Sequence, residues 1–198
     1  MVPAVVLCAI GAAYGVRTHQ RNPDWRNDET LFSNAVEAAP ASCKAHAGLA
    51  NAWFVEDPGF LKGDRAMVEA EKAAAIIGGL PNERSFASVF GLLGDIYAAR
   101  GESLLSKDAA GNPPPSALST EWYRKALEMD LRGAAVDRAQ DQLRRRAELA
   151  RGTPPERIGL QGLPNLYQNL GRAYMRLGDP QRALQAFLFQ RRLASSGP

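Results

Sequence analysis

Apolar residues recur along much of this chain at the three- and four-residue spacing of amphipathic helices. One such stripe consists of Val136, Ala139, Leu143, Ala147 and Ala150. Alanine is abundant, and runs of β-branched or aromatic residues are few, which favours helix over strand. The pattern therefore predicts an all-α fold.

A leucine, a small residue and an aromatic residue recur three times at one spacing. The three copies are Leu49-Ala50-x-x-Trp53, Leu93-Gly94-x-x-Tyr97 and Leu170-Gly171-x-x-Tyr174. The small residue lets a second helix cross closely, and the aromatic residue, nearly one turn later, fills the space beside it. This pattern resembles the first helix of a tetratricopeptide repeat (TPR). The resemblance implies a solenoid of helical hairpins that binds other molecules and rarely performs chemistry.

The 34-residue period of such repeats places units near residues 27–40, 43–77, 87–131 and 164–194. In the first unit, Asn27 or Asp28 is a suitable N-cap, and Pro40 ends the helix. The next second helix is predicted at Asp64–Ile76. In the last unit, Asp179 is a suitable cap for the final helix, with Pro180 at its first position.

Two segments depart from the regular repeat. A loop insert at 102–118 contains Gly111-Asn112-Pro113-Pro114-Pro115, which is typical of a loop or a stiff extended link. A further helix, predicted at 134–150, lacks the Leu-Gly-x-x-Tyr motif, so we interpret it as degenerate or solitary. The loop insert is expected to lie on one face of the solenoid, as insertions into such repeats usually do.

The first helices of such repeats line a concave groove, and the polar residues at the groove positions are the candidate binding site. These residues are Lys44, Asn51, Asp95, Asn165, Gln168 and Arg172. Their side chains are suited to hydrogen-bond an extended peptide or a chain terminus. The alternative is that they form only the solvated face of the solenoid. The lysine, asparagine and arginine set of a carboxylate clamp is not present as such.

Residues 1–16 form an uncharged, apolar segment that we separate from the repeat domain at 17–198. The run 2–16 is shorter than the roughly 20 residues needed to span a bilayer, and it lacks the basic segment of a secretory signal. Two interpretations remain open: the end of a transmembrane helix, or a short apolar helix docked on the repeats. The lack of a polar face favours the membrane. Tyr14 would then lie at the interface, with Arg17 and His19 just outside.

Composition excludes several kinds of site. The net charge of +3 is too small to imply a nucleic-acid partner. Cys8 and Cys43 have neither metal nor disulfide spacing, so we expect small buried residues. His19 and His46 are far apart, and His46 occupies a packed position, so no metal site is expected. Acidic residues interspersed along the same helix favour a solvated face for Arg144–Arg146 over a contact with anionic lipid or an acidic partner.

The segment Arg17–Val36, followed by Pro40–His46, resembles the junction after the last membrane helix of transmembrane-and-TPR proteins, which include eukaryotic O-mannosyltransferases. The matching pattern is Arg-x-x-x-Arg-Asn-x-x-Trp, then Leu-Phe, then Pro-x-Ser-x-Lys-x-His. The resemblance implies that the repeats lie outside the cytoplasm, although the basic flank by itself favours the cytoplasm. It also implies that catalytic acids lie upstream, so that this chain alone is not an enzyme.

Two functions are therefore expected. The first is a non-catalytic, membrane-anchored scaffold that recruits a protein or peptide partner to its groove. The alternative is the accessory domain of a mannosyltransferase-like membrane glycosyltransferase whose active site lies upstream. Neither function implies a cofactor, a metal ion or a nucleic-acid partner.

Overall fold

The structure, a computed structural model, describes residues 2–57, 63–105 and 116–195, apart from the side chains of residues 2–4 and 21. These residues form eight α-helices and no strand, which confirms the predicted all-α fold. The helices are α1 (Val2–Arg21), α2 (Asp28–Ala38), α3 (Cys43–Val55), α4 (Gly63–Ile77), α5 (Ala87–Ser103), α6 (Ala117–Ala150), α7 (Pro164–Arg176) and α8 (Pro180–Ser195). Most of the predicted insert at 102–118 lies outside the described residues.

Two helices begin at the predicted caps. The Asn27 Oδ1 atom accepts a hydrogen bond from the Thr30 N–H at 2.8 Å, and the Asn27 N–H donates to the Thr30 hydroxyl at 3.4 Å. The Asp179 carboxylate accepts from the Arg182 N–H at 3.0 Å, and Pro180 is the first residue of α8. These bonds satisfy N–H groups that the first helical turn leaves without a partner.

Helix α6 is continuous where the sequence predicts two helices. It includes both the second helix of the unit at 87–131 and the separate helix at 134–150. Gly133, between them, is buried, and a side chain there would press on Leu166 and on the backbone of α5. The glycine therefore permits a close helix crossing and does not end the helix.

From α2 onward, each helix packs against the next one along the chain, and α5 also contacts α3 and α7. One buried apolar cluster, which includes Leu93 and Ile96, joins α3, α4 and α5. A second cluster, which includes Phe90, Leu166 and Leu170, extends from α4 to α8. Helix α5 contributes to both clusters and is the central element of the fold.

The small residues of the repeated motif lie at close helix crossings. A side-chain carbon at Gly171 would overlap the ring of Phe187, and one at Gly94 would overlap the carboxyl group of Asp130. Ala50, in the copy at Leu49–Trp53, is fully buried. The crossing at Gly94 therefore places an acid, and not an aromatic ring, against α5.

The apolar side chains of α1 are uncovered. All described side chains from residue 5 to 20 are exposed, and the contacts of α1 are mainly with the short 3-10 turn Asn22–Trp25. The interpretation in which this helix docks on the repeats is therefore wrong. Cys8, which was expected to be buried, is exposed for the same reason, whereas Cys43 is partly buried. Within the described part of the chain, no helix combines the length and the hydrophobicity needed to cross a bilayer.

Candidate functional site

A cavity of about 530 Å³ lies where α5, α6 and α7 meet, beside the end of α3. Phe54, Tyr123 and alanines of α5 and α7 form its apolar wall. Its polar lining residues are Asp95, Glu102, Asn165, Gln168, Asn169, Arg172 and Arg176. We call this space the central cavity.

Helix α7 presents one polar face to the central cavity. This polar face of α7 consists of Asn165, Gln168, Asn169 and Arg172. Gln168 and Asn169 follow Asn165 by three and four positions, and Arg172 follows them by four and three, which places the four side chains on one side of the helix. Leu166, Leu170 and Ala173 are buried and anchor the helix in the core. The sequence of α7 therefore fixes both its packing and the direction of its polar groups.

Two acids of α6, the buried Asp137 and the partly buried Asp141, hold the segment that precedes α7. Asp137 accepts hydrogen bonds from the Leu163 N–H at 3.2 Å and from the Tyr167 hydroxyl at 3.1 Å. Asp141 accepts from the Gln161 N–H at 3.3 Å. Burial raises the pKa of Asp137, and the bonds from Tyr167 and Leu163 oppose that shift. These bonds position the start of α7, and with it the polar face.

A larger cavity, of about 720 Å³, is lined by this segment together with α6 and the end of α8. Its charged residues are already bonded within the chain, because Arg144 donates at 2.6 Å both to Asp141 and to the carbonyl oxygen of Gly159. Gln140 also donates to the carbonyl oxygen of Ser85 at 2.7 Å. These bonds hold the fold together, so we take the central cavity as the candidate site.

Two of the four charged residues in the central cavity neutralise each other. Arg176 and Glu102 form an ion pair at 2.8 Å, and the Arg176 guanidinium lies 5.9 Å from the centre of the Tyr123 ring. Asp95 and Arg172 differ, since neither makes a hydrogen bond or an ion pair within 4 Å to any described residue. Their bonding capacity therefore remains open to a ligand.

A second acid, Asp130 of α6, lies beside Asp95. Asp130 is only 1% exposed, and its Oδ1 atom has no hydrogen-bond partner among the described residues. Burial raises the pKa of Asp130 to about 9, and the negative charge of Asp95 adds to that shift. Burial also raises the pKa of Asp95 to about 6, against the opposing charge of Arg172. At neutral pH the two acids therefore carry one negative charge, on Asp95.

The structure brings four of the six predicted site residues together. The four are Asp95, Asn165, Gln168 and Arg172. Lys44 and Asn51 lie outside the central cavity, because only the last turn of α3 reaches it, through Phe54. The Lys44 ammonium lies 5.2 Å from the centre of the Phe86 ring, and Asn51 is exposed.

Several residues of the central cavity were not predicted. Asn169 and Arg176 follow Asn165 and Arg172 by four residues, so helical spacing alone was a usable signal for both. Asp130, which lies beside Asp95 but does not line the cavity, carries no comparable signal, because one acid in a long helix gives no indication that it is buried.

No protein-family model matches this sequence, and the comparison with curated proteins found no match. Across residues 2–57, 63–105 and 116–195, no group of three or more His, Cys, Asp or Glu side chains is placed to hold a metal ion. We therefore infer a function from the geometry of the central cavity.

Proposed function

We propose that this chain is a non-catalytic helical-repeat scaffold of the TPR type, and that it binds an extended segment of a protein partner in the central cavity. The packing of each helix on the next, from α2 to α8, supports a stack of helical hairpins. The repeated leucine, small and aromatic residues support the same assignment.

One observation carries the proposal. Among the described residues, Asp95 and the polar face of α7 have no hydrogen-bond partner for their side chains, although all five side chains line one cavity. Polar groups that converge without internal partners are typical of binding sites, since a ligand supplies the missing bonds.

An extended peptide is the ligand chemistry that matches these groups. Each side-chain amide offers both a donor and an acceptor, as a peptide bond does, so Asn165, Gln168 and Asn169 are able to bond a peptide backbone. Phe54, Ala98 and Ala99 are partly exposed and offer apolar surface for the side chains of that peptide. The volume of about 530 Å³ lies within the usual range for ligand sites, roughly 300–1,000 Å³.

The test is selection of binders from a displayed random peptide library on the intact chain, followed by fluorescence anisotropy with the labelled peptides. The cavity variant combines Asn165→Ala, Gln168→Ala and Arg172→Ala. The control variant removes the same kinds of side chain from exposed positions of α8, with Gln181→Ala, Gln185→Ala and Arg191→Ala.

We expect the cavity variant to weaken binding about tenfold or more, because each lost bond contributes on the order of 1 kcal/mol. The control variant should retain wild-type affinity. Equal affinity for both variants, with unchanged helical circular dichroism, would contradict binding in the central cavity.

The exposed apolar residues of α1 favour a second candidate function. They include Val5, Leu7, Ile10 and Tyr14. A surface of this kind is typical of a membrane or protein contact. We propose that residues 2–16 associate with a membrane, with the repeats on its extracytoplasmic side, and that the chain serves as the accessory domain of a mannosyltransferase-like enzyme.

Leu7→Glu with Ile10→Glu should then abolish co-sedimentation with phosphatidylcholine vesicles, and unchanged co-sedimentation would contradict membrane association. An upstream sequence without further apolar spans would contradict the enzyme role.

A further inference from the structure

On the basis of the proposed function, we propose that Asp95 is the specificity-determining residue of the central cavity and accepts the cationic group of a lysine or arginine side chain in the bound segment. The partner is therefore a basic extended peptide.

Among the acids that line the cavity, Glu102 is paired with Arg176, whereas the bonding capacity of Asp95 is unmet. An ionised carboxylate accepts about four hydrogen bonds, and Asp95 accepts none from any described residue. It is also half-buried, so it has lost part of its hydration without a replacement. A cationic donor supplies both the missing hydrogen bonds and the opposite charge.

Asp130, buried beside Asp95, provides an independent observation. Its carboxyl group occupies the space over Gly94, the residue before Asp95, and its Oδ1 atom is buried without a partner in the described structure. The carboxyl group of Asp130 is therefore a second acid beside Asp95, and Arg172 is the cationic residue whose charge acts on Asp95. A cation beside Asp95 favours the ionised form of both acids, so its binding is coupled to proton release.

An anionic partner would gain less from this site. Arg172 is exposed and already hydrated, so pairing it with an anion in water stabilises a complex only weakly. Arg176 is neutralised by Glu102. The partly exposed ring of Phe54 suits the methylene groups of a lysine or arginine and is attractive to its charge.

The charges around Asp95 set the pH dependence. The titratable and charged groups that face it are Asp130 and Tyr123 of α6, Arg172 and Arg176 of α7, and Glu102 of α5, whereas α3 contributes the uncharged Phe54. Because the pKa of Asp95 is about 6, its carboxylate is lost as the pH falls below that value. Affinity for a cationic group should therefore decrease about tenfold from pH 7.5 to pH 5.

The experiment uses a phage-displayed random heptapeptide library, panned on the intact chain at pH 7.5, and the most enriched peptide synthesised with a fluorescent label. We expect a shared lysine or arginine in the enriched sequences. Replacement of that residue by the neutral isostere norleucine should weaken binding about tenfold to a hundredfold.

Two variants assign the effect to Asp95. In Asp95→Asn, the norleucine replacement should change affinity less than about twofold, and the pH dependence should disappear. The matched control is Asp64→Asn, since Asp64 is an exposed acid on α4 outside the cavity. That variant should keep both the full discrimination and the pH dependence.

The possible outcomes separate this inference from the proposed function. Cavity-dependent peptides without a basic residue, or acidic peptides whose binding is lost in Arg172→Ala, would overturn the role of Asp95 and leave the proposed function intact. A library that yields no peptide sensitive to the cavity variant would overturn both.

Discussion

Replacement of Asp130 by asparagine tests the buried acid pair through its effect on stability. Asp130 holds its proton in the folded chain because its pKa is about 9 there, whereas an unfolded chain loses that proton near pH 4. The stabilising contribution of a group with a raised pKa is fully present below the unfolded value and is lost as pH rises towards the folded value. Asparagine has almost the same shape and does not titrate.

The expected change in the free energy of unfolding is that of one titrating proton per molecule. Over the pH range between the two pKa values, the free energy of unfolding of the wild type should fall by about 1.4 kcal/mol for each pH unit through Asp130 alone. Between pH 6 and pH 8 this amounts to roughly 2.5–3 kcal/mol. The Asp130→Asn variant should lack that decline, and the other titrating groups cancel when the two proteins are compared.

The assay is urea unfolding followed by circular dichroism at several values between pH 5 and pH 8.5. Asp95→Asn is the control, because the pKa of Asp95 is about 6 and its titration therefore affects stability mainly between pH 4 and pH 6. That variant should keep the decline between pH 7 and pH 8. Parallel stability curves for the wild type and Asp130→Asn would refute the reasoning. The ¹³C shift of the Asp130 carboxyl carbon, constant up to pH 8, gives a second readout.

Three further substitutions test a close helix crossing, a helix cap and the interactions of a buried glutamate. Gly171→Ala should lower stability by about 1–3 kcal/mol in urea unfolding, because the added methyl overlaps Phe187; Gly79→Ala, with open space around it, should not. Asn27→Ala should cost about 1 kcal/mol and speed amide exchange in the first turn of α2, since a cap is lost. In the wild type, burial acts to raise the pKa of Glu69, but the interactions with Lys72 and His46 lower it overall. Glu69→Gln should therefore destabilise the chain at neutral pH, with a difference that shrinks below about pH 4.

Helices whose positions depend on residues close to them in the sequence were predictable. The motif at Leu170-Gly171-x-x-Tyr174 and the cap at Asp179 located α7 and α8, because both depend on neighbours within one hairpin. The continuity of α6 was not predictable from the sequence. A glycine is common at a helix end, and Gly133 permits a close crossing only in the folded chain, where Leu166 of α7 packs against it.

The candidate site, too, was only partly predictable from the sequence. The polar face of α7 was predictable because helical spacing alone sets its direction. Lys44 and Asn51 were assigned to the groove on the assumption of regular repeats, but the cavity reaches only the end of α3. The burial of Asp130 depends on how α6 crosses α5 at Gly94, which is a tertiary contact without a local signal.

The most direct measurement of the central claim is side-chain nuclear magnetic resonance during titration with a selected peptide. The amide groups of Asn165, Gln168 and Asn169 and the Nε–H group of Arg172 should shift together and saturate with the affinity measured by anisotropy. The Asn51 amide, which lies outside the cavity, should not move. Saturable binding with no shift on the polar face of α7 would contradict the assignment of the central cavity as the peptide site.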